Sequence, residues 1–299
     1  MAPANPRTDG LVIVDKPGGL TSHDVVARLR RIARTRKVGH AGTLDPMATG
    51  VLVLGVGAAT RLLHHLVLAD KAYTATIRLG AATVTDDAEG EATATTSAAD
   101  VGQDAVTTAM AGLTGEIQQT PSAVSAIKVD GRRSYNRVRD GESVQLAARP
   151  ITVSRFAALA ARRPTPELLD VDVEVECTSG TYVRALARDV GAALGVGGHL
   201  TALRRTRVGP FTLEQARTLD DLAGQDDPVA LPLAQAVRRA MPVREVDEDE
   251  TRDLSYGRSL EPRGITGVHG AIAAPDTVIA LLDELDGRAR PILVFRAAG

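Results

Sequence analysis

The apolar and polar residues of the N-terminal part follow patterns that predict short strands and amphipathic helices. Residues 11–15 are apolar up to an acidic end and run into a Lys-Pro-Gly-Gly turn, which predicts a strand. After Thr21 and Ser22, apolar residues recur at helical spacing with arginines between them, which predicts a helix with one basic face. Residues 51–56 predict a second strand, and residues 58–67 predict a helix.

The middle of the chain alternates between strand and helix patterns. Residues 81–100 are rich in Thr, Ala and Asp and have little to bury, so they are expected to form a loop. Residues 115–150 mix short strands with a basic segment and suggest an excursion from the core. The other predicted elements are a strand at 71–79, a helix at 104–111, a strand pair at 151–159 and 168–177, a helix at 182–194, a strand from 197 to 207, and a loop at 220–228.

The pattern mixes helices and strands, and 299 residues can bury a sizeable core in more than one domain. Beyond Pro242 the pattern is that of a small β unit, with late strands at 278–282 and 291–296. The predicted organisation is a disordered N-terminus, a main domain and a small β-rich domain, at 1–8, 9–239 and 240–299.

Composition narrows the class of protein and its location. No apolar run approaches the length of a membrane span, and the first eight residues have no signal-peptide core. The lone cysteine, Cys177, lies in a strand pattern and is expected to be a buried thiol. These features predict a cytoplasmic protein with no membrane segment. The six scattered histidines show no metal-ligand spacing, so no metal is expected.

The net charge of −2 does not suggest a polyanionic partner, but the distribution of charge does. A single basic run is usually a solvated face. Three runs favour a phosphate-backbone ligand, because guanidinium can bind phosphate through two parallel hydrogen bonds. The runs are Arg28, Arg30, Arg31, Arg34, Arg36 and Lys37; Arg132, Arg133, Arg137 and Arg139; and Arg204, Arg205 and Arg207.

Residues 39–50 place one carboxylate, Asp45, in a turn built from glycines and Pro46, beside a histidine. Taken alone, an Asp before Pro is usually a turn former or a helix N-cap. The functional alternative is a rigid loop that presents an acid for catalysis. The acidic pairs Asp86-Asp87 and Asp220-Asp221 are interpreted as loop charges.

Several motifs, in matching order from about residue 10 to residue 210, resemble the TruB family of bacterial tRNA pseudouridine synthases, which modify uridine 55 in the T-loop. These motifs are Lys16-Pro17, Thr21-Ser22-His23, Gly39-His40, Gly42-Thr43-Leu44-Asp45-Pro46, Ala48-Thr49-Gly50, Lys71-Ala72-Tyr73 and Gly180-Thr181-Tyr182-Val183-Arg184. A further stretch, Pro121–Lys128 with Arg132, Arg133 and Tyr135, looks like the RNA-gripping insertion of that family.

The resemblance implies an α+β fold, with a mixed β-sheet catalytic domain and flanking helices at 9–239, including the insertion at about 119–150. It also implies a small C-terminal RNA-binding domain of the PUA type at 240–299, a pattern that the tail of this chain matches weakly.

The resemblance also implies roles for individual residues. Asp45 would be the catalytic carboxylate, which attacks ribose C1′, adds to the base, or removes the C2′ proton. Arg184 would keep Asp45 charged in a partly dry pocket, although the helix alone favours a surface arginine. Tyr73 would stack on the target base, although a strand tyrosine more commonly faces the core.

Substrate contacts follow from the same resemblance. His40 would occupy the space that the flipped base leaves, or would simply hydrogen-bond its own loop. Tyr182 and Leu203 would pack at the pocket or serve as core residues. The expected substrate and RNA contacts are Lys16, Pro17, His40, Gly42, Thr43, Lys128, Tyr182, Leu203, Arg132, Arg133, Arg204 and Arg205.

The resulting hypothesis is a monomeric isomerase that acts on the T arm of tRNA without cofactor, metal or obligate protein partner. A non-catalytic tRNA-binding or folding chaperone is the alternative from another class. A nucleoside or glycoside hydrolase would need two opposed acids, and no second motif acid stands out.

Overall fold

The computed structural model describes residues 8–124 and 146–298, together with the backbone of 128–129 and 132–133. Nearly all of the predicted disordered N-terminus and most of the predicted insertion therefore lie outside the described residues.

Helices and strands alternate through the first two thirds of the described chain, and strands dominate its end. The helices are α1 (Ser22–Ile32), α2 (Leu63–Val67), α3 (Gln103–Ala111), α4 (Val183–Ala193), α5 (Leu219–Ala223), α6 (Leu233–Ala240) and α7 (Glu248–Ser255). The strands are β1 (Gly10–Lys16), β2 (Val38–His40), β3 (Thr49–Val56), β4 (Lys71–Leu79), β5 (Ala81–Thr83), β6 (Ala92–Thr95), β7 (Gly115–Gln119), β8 (Lys128–Val129), β9 (Arg132–Arg133), β10 (Arg149–Arg162), β11 (Leu169–Cys177), β12 (Gly198–Val208), β13 (Phe211–Thr212), β14 (Leu231–Pro232), β15 (Val243–Val246), β16 (His269–Ala273), β17 (Thr277–Leu285) and β18 (Arg288–Val294).

A large mixed sheet carries the site, with described strands in the order β14-β1-β3-β12-β4-β11-β10-β7. Its β3–β12 contact is parallel and pairs Thr49 with Arg204 and Gly50 with Arg205. This contact brings the end of the Asp45 loop against β12. A second sheet, in the order β15-β16-β17-β18, forms the C-terminal unit. The predicted α+β class with a central mixed sheet and a β-rich C-terminal unit is confirmed.

Both faces of the large sheet are buried near β1. Val12 and Val14 join the core that includes Val25 and Leu29 of α1. Leu11 and Ile13 join a second core, which also contains apolar residues of the C-terminal unit. This explains why residues 11–15 form a continuous apolar run rather than an alternating one.

Most sequence-predicted elements are confirmed. The strands expected at 11–15, 51–56 and 71–79 are β1, β3 and β4, and the helix expected after Thr21 is α1. The pair expected at 151–159 and 168–177 is the antiparallel pair β10 and β11, and the helix expected at 182–194 is α4. Cys177 is buried, as predicted, and burial raises the pKa of its thiol to about 11.

Three predicted elements are right only in part. The expected loop at 81–100 contains the antiparallel pair β5 and β6, and all four residues of β6 are exposed, so no apolar alternation marks it. The helix expected at 58–67 begins as a 3₁₀ turn at Gly57 and becomes α-helical only at Leu63. The expected loop at 220–228 begins as α5, which Thr218 and Asp221 start with a capping box.

Among the described residues, no helix is long and apolar enough to cross a membrane.

Two polar side chains from the start of the chain fix the loop that carries Asp45. The Ser22 hydroxyl accepts from the Leu44 N–H at 2.8 Å and lies 3.1 Å from the Leu44 carbonyl oxygen. The Lys16 ammonium is fully buried and donates to the carbonyls of Pro17, Leu20 and Pro46. The residues on either side of Asp45 are therefore tied to β1 and to the start of α1.

Arg205 of β12 holds the other side of the same loop. Its guanidinium donates to the carbonyls of Val51 at 2.7 Å, Gly42 at 3.1 Å and Thr43 at 3.3 Å. Gly50 has φ of 100°, and a Cβ there would lie 2.2 Å from the Arg205 carbonyl oxygen. The loop and β12 thus meet at a distance that only glycine permits.

Gly50→Ala is expected to lower the free energy of unfolding by more than about 2 kcal/mol, because it adds both a clash and a strained φ. Urea unfolding measures the change. Gly19→Ala is the matched control, since Gly19 has φ of 81° and a Cβ added to it would have no described atom within 4 Å. The control is expected to lose only about 1 kcal/mol. If the two variants lose the same free energy of unfolding, the positive φ alone explains why glycine is needed at position 50. The close contact with Arg205 would then contribute nothing.

Burial lowers the pKa of Lys16 to about 8. Between about pH 8 and 10.5 the folded protein therefore binds fewer protons at Lys16 than the unfolded chain, so this group's contribution to stability rises with pH there. The free energy of unfolding of the unchanged protein, minus that of Lys16→Met, is expected to grow across this window by at most about 3 kcal/mol.

Urea titrations at several pH values test this expectation. Lys37→Met, which changes an exposed lysine, serves as the control and is expected to show a flat difference. A flat difference for Lys16→Met as well would contradict the lowered pKa.

Candidate active site

Asp45 and Arg184 form an ion pair although 139 residues separate them in the sequence. The Arg184 Nε lies 3.0 Å from Asp45 Oδ2, and Nη2 donates to Oδ1 at 3.3 Å. The Arg184 side chain is 6% exposed, whereas that of Asp45 is 35% exposed. The cation is therefore enclosed by protein, while the carboxylate stays accessible.

Arg184 is fixed by further contacts around its guanidinium. Nη1 donates to the Thr85 carbonyl at 2.7 Å and lies 3.4 Å from a carboxylate oxygen of Asp87. Nη2 donates to the Val124 carbonyl at 2.9 Å. A guanidinium presents its donors in a rigid fork, so these contacts set the direction in which Arg184 meets Asp45.

Asp86 and Asp87 belong to this site, so their interpretation as loop charges is wrong. Asp87 is 2% exposed and accepts from the Thr85 hydroxyl and the Glu89 N–H. Asp86 has φ of 59° and lies 3.3 Å from Arg188, and burial raises the pKa of its carboxyl. The arginine partners come from α4, about a hundred residues later, and no local pattern in the sequence reveals that pairing.

A cavity of about 320 Å³ opens beside the ion pair. Its volume lies at the lower end of the range for small-molecule sites. The structure brings together there all three predicted catalytic residues and five of the predicted substrate contacts. These residues are Asp45, Tyr73, Arg184, Gly42, Thr43, Tyr182, Leu203 and Arg205.

Tyr73 and Leu203 form part of the apolar wall of the cavity. Tyr73 is 7% exposed and pairs with Arg205 across β4 and β12. Burial raises the pKa of its hydroxyl, and the nearby Arg205 acts in the opposite direction. Leu203 is 8% exposed on β12. Tyr73 is therefore buried in the sheet and also lines the cavity, and its stacking on a target base stays a prediction.

Two polar residues that the sequence analysis missed position Tyr182. The buried Gln119 amide donates to the Tyr182 carbonyl at 3.1 Å and accepts from its N–H at 2.8 Å. The Arg149 guanidinium carbon lies 5.1 Å from the centre of the Tyr182 ring, and this side chain donates to the Gly180 carbonyl. Arg149 also lines the cavity. Neither residue belongs to a motif that marks it in the sequence.

Three predicted RNA contacts have protein partners. Lys16 is fully buried, and Arg205 is 1% exposed although it lines the cavity. Both donate to carbonyls of the Asp45 loop, and their RNA contacts stay predictions. Arg204 forms a bidentate ion pair with Asp15, with distances of 2.7 and 3.0 Å. Pro17 is exposed in the turn after β1, where it gives a carbonyl to Lys16.

His40 lies on β2, outside the residues that line the described cavity. Its ring contacts that of His23 edge to face, with centroids 5.6 Å apart. Burial is the main cause that lowers the pKa of His40, with His23 and Arg205 adding to it. The side chains of Lys128, Arg132 and Arg133 lie outside the described residues, so their predicted RNA contacts stay predictions.

Within the part of the chain that the structure describes, no group of three His, Cys, Asp or Glu side chains could hold a metal ion.

Comparison with protein families gives matches along most of the chain. Residues 30–183 match the model of the TruB family pseudouridylate synthase N-terminal domain. Residues 184–237 match the tRNA pseudouridylate synthase B C-terminal domain, and residues 241–296 match the C-terminal domain of tRNA pseudouridine synthase II.

Curated relatives and solved structures agree with these matches. A tRNA pseudouridine synthase B of Nocardia farcinica is 63% identical, over 97% of this chain and 94% of the relative. One from an Arthrobacter species is 60% identical, over 96% of both chains. A chain in the crystal structure of a Cbf5-Nop10-Gar1 complex superposes with a TM-score of 0.72 at 29% identity, over 97% of this chain and 84% of that one. This chain therefore belongs to the TruB family and is an isomerase that forms pseudouridine in tRNA.

Proposed function

We propose that this enzyme converts uridine 55 in the T-loop of tRNA to pseudouridine, with Asp45 as the catalytic carboxylate. The observation that supports this most strongly is the accessible Asp45 carboxylate, held by the enclosed Arg184 at the edge of a cavity of about 320 Å³.

The reaction breaks the bond between ribose C1′ and uracil N1 and forms a bond between C1′ and C5. The proton leaves C5 and N1 gains one, so no oxidant or energy donor is consumed. Asp45 acts at the sugar or at the base, and Tyr73 stacks on the uracil that the pocket retains. The target nucleotide must first leave its loop, which costs a few kcal/mol that stacking in the pocket offsets.

The residues of the site distinguish the isomerase from its two alternatives, a hydrolase and a non-catalytic chaperone. A hydrolase that cleaves glycosidic bonds uses two carboxylates on opposite sides of the bond. Here the described acids close to Arg184 besides Asp45 include Asp87 and Glu89, and neither belongs to the described cavity lining. A non-catalytic tRNA chaperone would need no accessible carboxylate backed by a buried guanidinium. The isomerase proposal therefore fits the site best.

The remaining parts of the proposal concern partners and location. The substrate is the T arm, the C-terminal unit is a PUA-like domain that binds RNA, and the enzyme acts as a monomer in the cytoplasm without cofactor or obligate protein partner. The solved relative forms a complex with Nop10 and Gar1. A monomer mass in light scattering at assay concentration tests this part for the present chain.

Asp45→Asn is expected to abolish pseudouridine formation in a T-arm stem–loop, because the amide keeps the shape and removes the charge that reacts. RNA affinity is expected to stay within about threefold, since the backbone contacts are unchanged. Chemical mapping of pseudouridine in single-turnover reactions measures the product, and filter binding measures the affinity.

Asp189→Asn, which neutralises an acid outside the cavity, is the matched control and is expected to turn over normally. Near-normal turnover by Asp45→Asn would reject its catalytic role. Free uracil as the product of the unchanged protein would instead favour the hydrolase, and binding without product would favour the chaperone.

A further inference from the structure

The basic runs of the sequence differ in whether their cations have protein partners in the structure. In the run on β12, Arg204 pairs with Asp15, Arg205 is buried, and Arg207 pairs with Glu176 at 2.7 Å. Because carboxylates or backbone carbonyls already satisfy these guanidinium groups, this run offers little free positive charge to a ligand.

The run around α1 differs, since its cations face solvent. Among the described residues, no ion pair includes any of them. Arg30 is left out of the set because it donates to the Val38 carbonyl. We call the exposed remainder the α1 basic surface: Arg28, Arg31, Arg34, Arg36 and Lys37.

The helix that carries the first part of this surface begins beside the active site. Ser22, the first residue of α1, is hydrogen-bonded to Leu44, which precedes Asp45. His23 contacts His40 on β2, at the start of the same loop. Arg28, the first member of the surface, lies about 9 Å along the helix axis from Ser22, and the surface continues past the end of α1.

The positive charge of this surface favours a ligand rich in phosphate groups. Exposed guanidinium groups that form no ion pair among the described residues create a local positive potential, even in a chain of net charge −2. A polyanion neutralises this potential with release of its counterions. An RNA whose target nucleotide lies in the cavity must continue away from it, and its paired stem carries regularly spaced phosphates. Folded RNA is held largely by such backbone contacts.

We propose that the α1 basic surface binds the sugar-phosphate backbone of the RNA stem that carries the target loop. This inference rests on the proposed function, because that function places the target nucleotide in the cavity. The surface contributes affinity and orientation and takes no part in the chemistry at Asp45.

The test neutralises two of these cations, one turn apart on α1, in the double variant Arg28→Gln/Arg31→Gln. Its Kd for a T-arm stem–loop at about 0.1 M salt is expected to rise about tenfold, and the slope of log K against log salt concentration is expected to fall by about two. The single-turnover rate at saturating RNA is expected to stay within about twofold of that of the unchanged protein.

The control Arg155→Gln/Arg162→Gln removes the same charge from exposed arginines of β10 that are already paired with carboxylates. It is expected to leave the salt slope unchanged. Equal effects of the two double variants would overturn the proposal, as would a defect seen with full-length tRNA but not with the stem–loop. Product formation by the unchanged protein tests the proposed function separately, so the two failures are distinguishable.

Discussion

The site depends on one buried guanidinium shared between two acids. Arg184 would be costly to enclose without partners, because an unpaired charge loses its hydration. Asp87 and the carbonyls of Thr85 and Val124 satisfy it from the protein side, and Asp45 completes the set at the cavity. The reactive carboxylate is thereby held in one place and paired with a positive charge, while it remains open to a substrate.

The Asp45 loop is likewise held by contacts from several distant parts of the chain. Ser22, Lys16 and Arg205 all bind its backbone, and they come from α1, β1 and β12. The close contact between Gly50 and Arg205 lets the loop reach β12. A loop that several elements fix in this way loses little conformational entropy when a substrate binds, which is the physical sense of preorganisation. The α1 basic surface starts further along the helix that begins at Ser22, so loop fixation and the proposed stem contact share one element.

The sequence predicted the elements whose signals are local and missed the features that depend on distant pairing. An apolar run predicted β1, and apolar residues at helical spacing after Thr21 and Ser22 predicted α1. The family motifs implied that Asp45, Tyr73 and Arg184 share one pocket, and all three line the cavity. Asp87 and Gln119 looked like ordinary polar residues, because their partners lie far away along the chain. Arg205 looked like part of an RNA-binding run, since local charge does not show whether a guanidinium is buried.

The most direct test of the central interaction is the single-turnover rate of Arg184→Lys at saturating RNA. Lysine keeps the charge but lacks the planar fork that meets Asp45, Asp87 and two carbonyls at once. We expect a rate at least about a hundredfold below that of the unchanged protein, with RNA affinity within about threefold. A rate close to that of the unchanged protein would contradict the claim that the geometry of this guanidinium holds the reacting acid in place.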